Sequence, residues 1–498
     1  MKFSVMMILL KKALKHAEVM RFSTYTFRKS TIYALSSGHG KCGVAVIRVT
    51  GPKASNAVQA IAGFSKLPEP RFAHLRNFRN VHNGDIIDKG LVIWFPGPKS
   101  FTGEDSCEFQ VHGSLAVVNG ILNSLSLIPS FRIAEAGEFT RRAYFNGKLD
   151  LTEVEGLADL LNAETEIQRK QAFLQSQGFL SKLYLEWKND LSKELAHIEA
   201  SIDFEETENL DSNKDESIKN ISRIKQQIET HLLNGRKGEI LRHGVKTVIL
   251  GKPNVGKSSL FNLLCGRPAA IVTSTSGTTR DVLEVRLDIS GYPLILVDTA
   301  GLAKHSSDPI ELEGMKRAVE QLDNADLIIV VMDASDYSSW KINNKYLTFK
   351  DYLKCYMKNL ELESYFFDCS ERRSKPTIFV MNKSDLYSVE TENVVSISCK
   401  TEKGFDNFLS TIGVELNKIC GEPTKEHPCM NKTRHRQHLE DCLSEQNIFI
   451  EKYKASDMDV VILAEHLRRA LRHLGKLVGS TSTEDLLDII FSEFCIGK

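Results

Sequence analysis

Three apolar runs in the middle of the chain stop abruptly at small or polar residues, and each stop falls where chemistry could sit. In TVILGKPNVGKSSLFNLL a β-branched run predicts a strand, a glycine-bounded loop breaks the period, and an apolar helical pattern follows. YPLILVDTAGL and IFVMNKSDL predict buried strands ending at Asp298 and at Asn382-Lys383-Ser384-Asp385. On the N-terminal side, KCGVAVIRVT and GLVIWFP belong to alternating strands and short helices up to about Gly147. From Leu149 to about Lys237 the pattern is helical. It opens at Thr152-x-x-Glu155, which predicts a capping box, with Leu157, Leu160 and Leu161 on one face. FEETENLDSNKDES interrupts it as an acidic, polar loop. Helical spacing returns from Asn431, as in VVILAEHLRRALRHLGKL, and the chain ends in a predicted helix, TEDLLDIIFSEF. Neither helical half has an obvious partner except the other, so the central α/β unit is expected to be inserted into one discontinuous helical domain.

The first loop carries Gly251, Gly256, Lys257 and Ser258 as G-x-x-x-x-G-K-S between a strand and a helix. Glycines let successive backbone N–H groups curl around a β-phosphate, a lysine reaches the β and γ oxygens, and a serine hydroxyl ligates Mg²⁺. Asp298 is placed to hold a magnesium-bound water, and Gly301 can bring its N–H to a γ-phosphate. Asp385 can accept from the N1–H and N2–H₂ edge of guanine. Adenine lacks those donors and would leave a carboxylate unpaired, so the site is expected to take GTP rather than ATP. The turn at Ser398, Cys399 and Lys400 would support the base. Together these signals predict a Ras-like, doubly wound GTPase domain with nucleotide above the strand ends. Leu302 stands where a Ras-type GTPase has its water-orienting glutamine, so another group must position that water. TSTSGTTRD supplies a switch segment with Thr279 as the Mg²⁺ and γ-phosphate ligand. Asn254 is either a turn former or the ligand of a monovalent cation beside the phosphates.

Composition narrows the partners. The 498 residues exceed what one core can serve, so several domains are expected. Sixty-four basic and 64 acidic side chains leave a net charge of 0, so any RNA contact must be local. The cluster Arg468, Arg469, Arg472, His473 and Lys476 is either such a contact or a solvated face. Ten scattered cysteines without a C-x-x-C pair argue for a reducing compartment and against a zinc site or a disulfide framework. Residues 1–30 hold seven Lys or Arg against Glu18 alone, which predicts a mitochondrial transit peptide. No stretch is apolar for long enough to span a bilayer, so no stable membrane insertion is expected. Between Asp333 and Lys375 the chain reads as a surface insertion with no legible function.

GKPNVGKSS, GTTRD, DTAGL, NKSD and the terminal FCIGK together resemble the MnmE (TrmE) family of tRNA-modifying GTPases, over about Thr31 to Lys498. WFPGPKSFTGEDSCEFQVHGS and AEAGEFTRRAYFNGKLDLTEVEGLADLLNAETE extend the likeness. The resemblance implies an α+β folate-binding and dimerisation domain over 31–147, helical halves over 148–240 and 421–498, and a GTPase domain over 241–420. It implies that Val255 and Ser259 join the GTP-binding loop. Potassium would be held by Asn254, Thr273, Thr275 and Thr278, and the catalytic water positioned by Glu311. A tetrahydrofolate derivative, 5,10-methylene or 5-formyl, would be contacted by Arg48, Glu108, Lys148 and Lys498. Cys495 would take part in the modification chemistry, as nucleophile, redox group or packing residue.

The implied whole is a homodimeric GTPase of the mitochondrial matrix. With an MnmG-type flavoprotein, which alone brings FAD, it would modify C5 of the wobble uridine of tRNA, leaving a carboxymethylaminomethyl or taurinomethyl type group. Two rivals have different signatures: an Era-type ribosome-assembly switch, which needs an RNA-binding appendage not visible after Lys400, and a folate-dependent transferase in which GTP only regulates.

Overall fold

The computed structural model describes residues 30–38, 40–203, 211–266, 270–271, 284–297, 321–367, 375–387, 391–426, 428–455, 460–479 and 484–498. The expected transit peptide lies outside them but for Ser30. The chain divides into two compact units, one running to Ala158 and including Val478–Lys498, the other Asp159–Leu477. Among the described residues no helix is long and apolar enough to cross a membrane.

The first unit is built on strands β1 (Thr31–Leu35), β2 (Cys42–Thr50), β3 (Ala73–Arg79), β4 (Ile86–Phe95), β5 (Ser106–Gly113) and β6 (Phe131–Ile133), in the order β3-β4-β5-β2-β1-β6. All neighbours are antiparallel except β1 and β6. Helices Ala54–Ala62 and Leu115–Ser126 bury Val58, Ile61, Ile121 and Leu125 against Ile47, Val49 and Phe109. Ser114 starts the second of these helices by accepting the Val117 N–H.

The helix Leu151–Asn162 begins one residue before the expected cap. Its box is Asp150 with Glu153: the Asp150 carboxylate accepts the Glu153 N–H at 3.0 Å, and the Glu153 carboxylate accepts the Asp150 N–H at 2.8 Å. Thr152 and Glu155 are buried inside the helix instead, so the predicted box is corrected. The packed face is Leu151, Val154 and Ala158 with the expected Leu157 partly buried against them, while Leu161 is 46% exposed. Helix Glu484–Ser492 covers that face with Leu487, Ile490 and Phe491.

The second unit holds strands β7 (Val245–Leu250), β8 (Ala270–Ile271), β9 (Glu284–Ile289), β10 (Tyr292–Val297), β11 (Leu327–Asp333), β12 (Thr377–Asn382) and β13 (Val394–Ser396), in the order β13-β12-β11-β7-β10-β9-β8. β13, β12, β11, β7 and β10 run parallel, so their C-terminal ends share one edge of the sheet. β11 is buried along its whole length. Leu327, Ile329 and Val331 face helices Lys257–Cys265 and Phe405–Cys420, and the alternate Ile328, Val330 and Met332 face the other side.

That other side is covered by the segment read from sequence as a surface insertion. Its helix Phe349–Asn359 buries Tyr352, Leu353, Tyr356 and Met357, and Tyr337, Trp340 and Phe349 pack around Tyr352. The apolar stripe is interleaved with lysines and contains two tyrosines, which hid its helical period.

The long helices Phe179–Asp203, Asp211–His243, Thr433–Ala455 and Val460–Leu477 pack on one another, and Asp211–His243 also meets β10. The last part of the expected acidic loop, from Asp211, is helical. The basic stripe on Val460–Leu477 is neutralised from within. Arg468 pairs with Glu199 at 2.7 Å, and Arg472, Arg468 and Arg469 share Glu465. The arginines of this face are thus ion-paired while staying exposed.

Candidate nucleotide and folate sites

Strand β7 delivers the chain to Gly251, whose φ is +154°, and the loop closes at Gly256, φ +102°, which caps the helix Lys257–Cys265. A Cβ on Gly256 would meet Asn382 Nδ2 at 2.1 Å, and one on Gly251 would meet the Val331 carbonyl oxygen at 2.3 Å. Both positions therefore need glycine for space as well as for backbone angle. Asn254 is left-handed at φ +63° and exposed, a conformation that asparagine tolerates, so its turn-forming role is real. The same exposure leaves its side-chain carbonyl open to a cation.

The loop forms a cradle for anions. Ser258 and Ser259 stand exposed in the first helical turn, where backbone N–H groups and the helix dipole favour negative charge. Lys257 folds back over the loop and donates to the Gly251 and Lys252 carbonyls at 2.8 and 2.7 Å. Half-burial lowers its pKa, so an arriving phosphate would relieve a desolvated cation.

Two side chains tie this loop to its neighbours. Asn382, 3% exposed at the end of β12, donates to the Val255 carbonyl at 2.8 Å and accepts the Cys399 N–H at 3.1 Å. Tyr356 accepts the Lys252 N–H at 2.9 Å and donates to the Val331 carbonyl at 2.8 Å. Asp385 and Ser398 are joined at 2.6 Å, and the Ser398 hydroxyl accepts the Thr401 N–H at 3.2 Å. The Ser398 hydroxyl, above all, holds the Asp385 carboxyl below the usual carboxylate range, so it is an anion ready to accept guanine N–H groups. Lys383 pairs at 2.5 Å with Asp333 at the end of β11.

Gly251, Asn254, Val255, Gly256, Lys257, Ser258, Ser259, Asn382, Lys383, Asp385, Ser398, Cys399 and Lys400 thus gather on one sheet edge and its flanking loops. Thr273, Thr275, Thr278, Thr279, Asp298, Gly301 and Glu311 lie outside the described residues. Tyr356 was missed by sequence reading. Its signal was a tyrosine on the buried stripe of a helix that follows β11.

In the first unit, Arg48 and Glu108 are directly opposite on β2 and β5, with guanidinium nitrogens 2.9 and 3.0 Å from Glu108 Oε1. The Arg48 guanidinium lies over the Phe101 and Phe139 rings at 5.4 and 5.8 Å. The chain terminus is pinned beside them. Ile496 bridges Ala136, the Ser36 hydroxyl donates to the Gly497 carbonyl at 2.8 Å, and the Phe139 N–H donates to the Lys498 carbonyl at 3.2 Å. Burial lowers the Lys498 pKa, with Arg48 adding to the effect and Glu108 and Cys495 opposing it, so all four groups share one neighbourhood. Cys495 is a free, exposed thiol. Lys148 is exposed and lies with its stem against Gly103, on the loop that carries Phe101, rather than on the ion pair.

The sequence matches the family model described as the GTP-binding protein TrmE N-terminus over residues 31–148 and that of the MnmE helical domain over 151–495. It is 45% identical over 486 residues to a zebrafish (Danio rerio) protein named 5-taurinomethyluridine-[tRNA] synthase subunit GTPB3, mitochondrial, covering 94% of this chain and 93% of that one. The human protein of the same name is 45% identical over 477 residues, with the same coverage. A Parvibaculum lavamentivorans protein named tRNA modification GTPase MnmE is 44% identical over 469 residues, covering 94% of this chain and 100% of the bacterial one. With two family models and relatives matched over this extent, the chain belongs to the MnmE/TrmE family of tRNA modification GTPases.

Proposed function

We propose that this protein hydrolyses GTP to drive modification of C5 of the wobble uridine, position 34, of mitochondrial tRNAs, in the matrix and together with an MnmG-type FAD protein. The observation that carries the reading is the Asn382 bridge, which locks the phosphate cradle to the turn supporting Asp385 and so presets the distance between polyphosphate and base. The relatives named as taurinomethyluridine synthase subunits favour a taurinomethyl group as the product.

Lys257 would neutralise β and γ oxygens, Ser258 and Thr279 would hold Mg²⁺, and Glu311 would orient the attacking water. Asn254, Thr273, Thr275 and Thr278 would hold K⁺ where other GTPases place an arginine finger. The glycine cradle and the exposed Asn254 carbonyl fit these groups. The Arg48–Glu108 pair and Lys498 fit a folate, the carboxylate toward pterin N–H groups and the cations toward its glutamate tail. When bound, the cations supply charge against developing anionic oxygens and the folate supplies the one-carbon unit. Cys495, exposed and near Lys498, would take part in the modification chemistry at that second site. Pairing of two copies across the switch faces would complete the potassium site, and the inserted Ras-like domain would open and close with the nucleotide state.

Turnover of GTP and ATP by protein lacking residues 1–30, in matched potassium and sodium buffers, tests this. The expected result is GTP-selective turnover that potassium stimulates and that Asn254→Ala makes insensitive to the cation. Equal rates in both salts would remove the potassium mechanism.

A further inference from the structure

Three potential ligands converge between two helices of the second unit. His438 and Asp441 stand one turn apart on Thr433–Ala455, and His473 stands on the neighbouring Val460–Leu477. One ligand atom from each lies within 4.8 Å of the others, and His473 Nδ1 is 3.4 Å from Asp441 Oδ2. Both imidazole Nδ1 atoms are buried without a hydrogen-bond partner. The other Asp441 oxygen, Oδ1, accepts from Gln437 at 3.2 Å, which leaves Oδ2 aimed at the histidine.

Two buried imidazole nitrogens without a hydrogen bond, one of them meeting the Asp441 carboxylate only at 3.4 Å, require an explanation, because such atoms are ordinarily satisfied. We propose that His438, Asp441 and His473 form a mononuclear site for a divalent transition metal of the zinc class, with water as a fourth ligand.

The donor set of two imidazoles and one carboxylate is one that zinc and its neighbours take readily. The nearby cations do not block the site: Arg434 is engaged with the Lys476 and Leu477 carbonyls, and Lys476 is exposed and can turn to solvent. Bond lengths of about 2.0–2.1 Å require the three side chains to draw together on binding, which the partial exposure of all three permits. Such a metal would clip the two helices to each other.

The test titrates the full-length, metal-stripped protein with Zn²⁺ and with Co²⁺, beside His438→Gln, His473→Gln and Asp441→Asn, each checked for native circular dichroism. The site predicts one equivalent bound, a cobalt spectrum without thiolate charge transfer, and an affinity loss of at least about tenfold in each variant, since even outer-shell losses cost that much. Zn²⁺ should also raise the melting temperature of the parent but not of His473→Gln. Absence of stoichiometric binding, a thiolate signature from the cysteines, or equal binding in all four proteins would overturn it.

Discussion

Asn382 reaches across 127 positions of sequence to donate to the Val255 carbonyl at 2.8 Å, so the residue that opens the NKSD box also holds the loop from Gly251 to Gly256. Replacing it by alanine strands a buried carbonyl and the Cys399 N–H. Loss of about 1–3 kcal/mol of stability is expected, with a raised KM for GTP. Urea denaturation and steady-state kinetics read the two effects, and an unchanged KM would mean that the loop is held without this bridge.

Tyr356→Phe keeps the ring in the core and removes only its hydroxyl bonds to Lys252 and Val331. A net bond is worth about 0.5–1.5 kcal/mol, so GTP affinity should fall several-fold while the protein stays folded. Measured with a fluorescent GTP analogue, an affinity equal to wild type would show that the helix cover is only packing.

Gly497 sits at φ +99° with the Leu35 carbonyl 2.2 Å from where a Cβ would go. Gly497→Ala should release the terminal segment and displace Cys495 and Lys498. Wobble modification is then expected to fail while GTP hydrolysis persists, a separation that turnover and nucleoside mass spectrometry measure on the same preparation. Full modification by this variant would detach Cys495 from the chemistry.

Glu138 is 1% exposed and accepts from Arg132 at 2.6 and 2.8 Å, and Arg142 lies at 3.0 Å. Burial alone would raise its carboxyl pKa, but Arg132, the Glu135 N–H and Arg142 overcome that and lower it. A depressed folded value means that its stabilisation is complete above the ordinary carboxylate pKa, about 4.3, and is lost as pH falls through the lower folded value. Urea midpoints should therefore drop from about pH 4 downward, and Glu138→Gln should flatten that part of the profile. An identical acid limb in the variant would place the proton uptake elsewhere.

The parallel strands, the phosphate loop and the NKSD box were legible in sequence because each is local: a β-branched run, then glycines, then a helical period. Asp150 was missed as a cap because Thr152 and Glu155 also satisfy the spacing, and only the burial of both decides between them. Tyr356 was passed over because its partners, Lys252 and Val331, lie far away in sequence. The basic stripe could be judged only once Glu199, Glu445 and Glu465 were placed against it. FCIGK was legible as a motif, but its anchoring on Ser36, Ala136 and Phe139 depends on contacts that no spacing encodes.

The most direct test is mass spectrometry of the wobble nucleoside of mitochondrial tRNA from cells lacking the endogenous protein, supplied with this protein or with Lys257→Ala. The wild type is expected to restore the C5 modification, and the variant, unable to neutralise the polyphosphate, to leave uridine 34 bare. Full modification by Lys257→Ala would contradict GTP-driven chemistry, and no modification by an actively GTP-hydrolysing wild type would point instead to a binding switch.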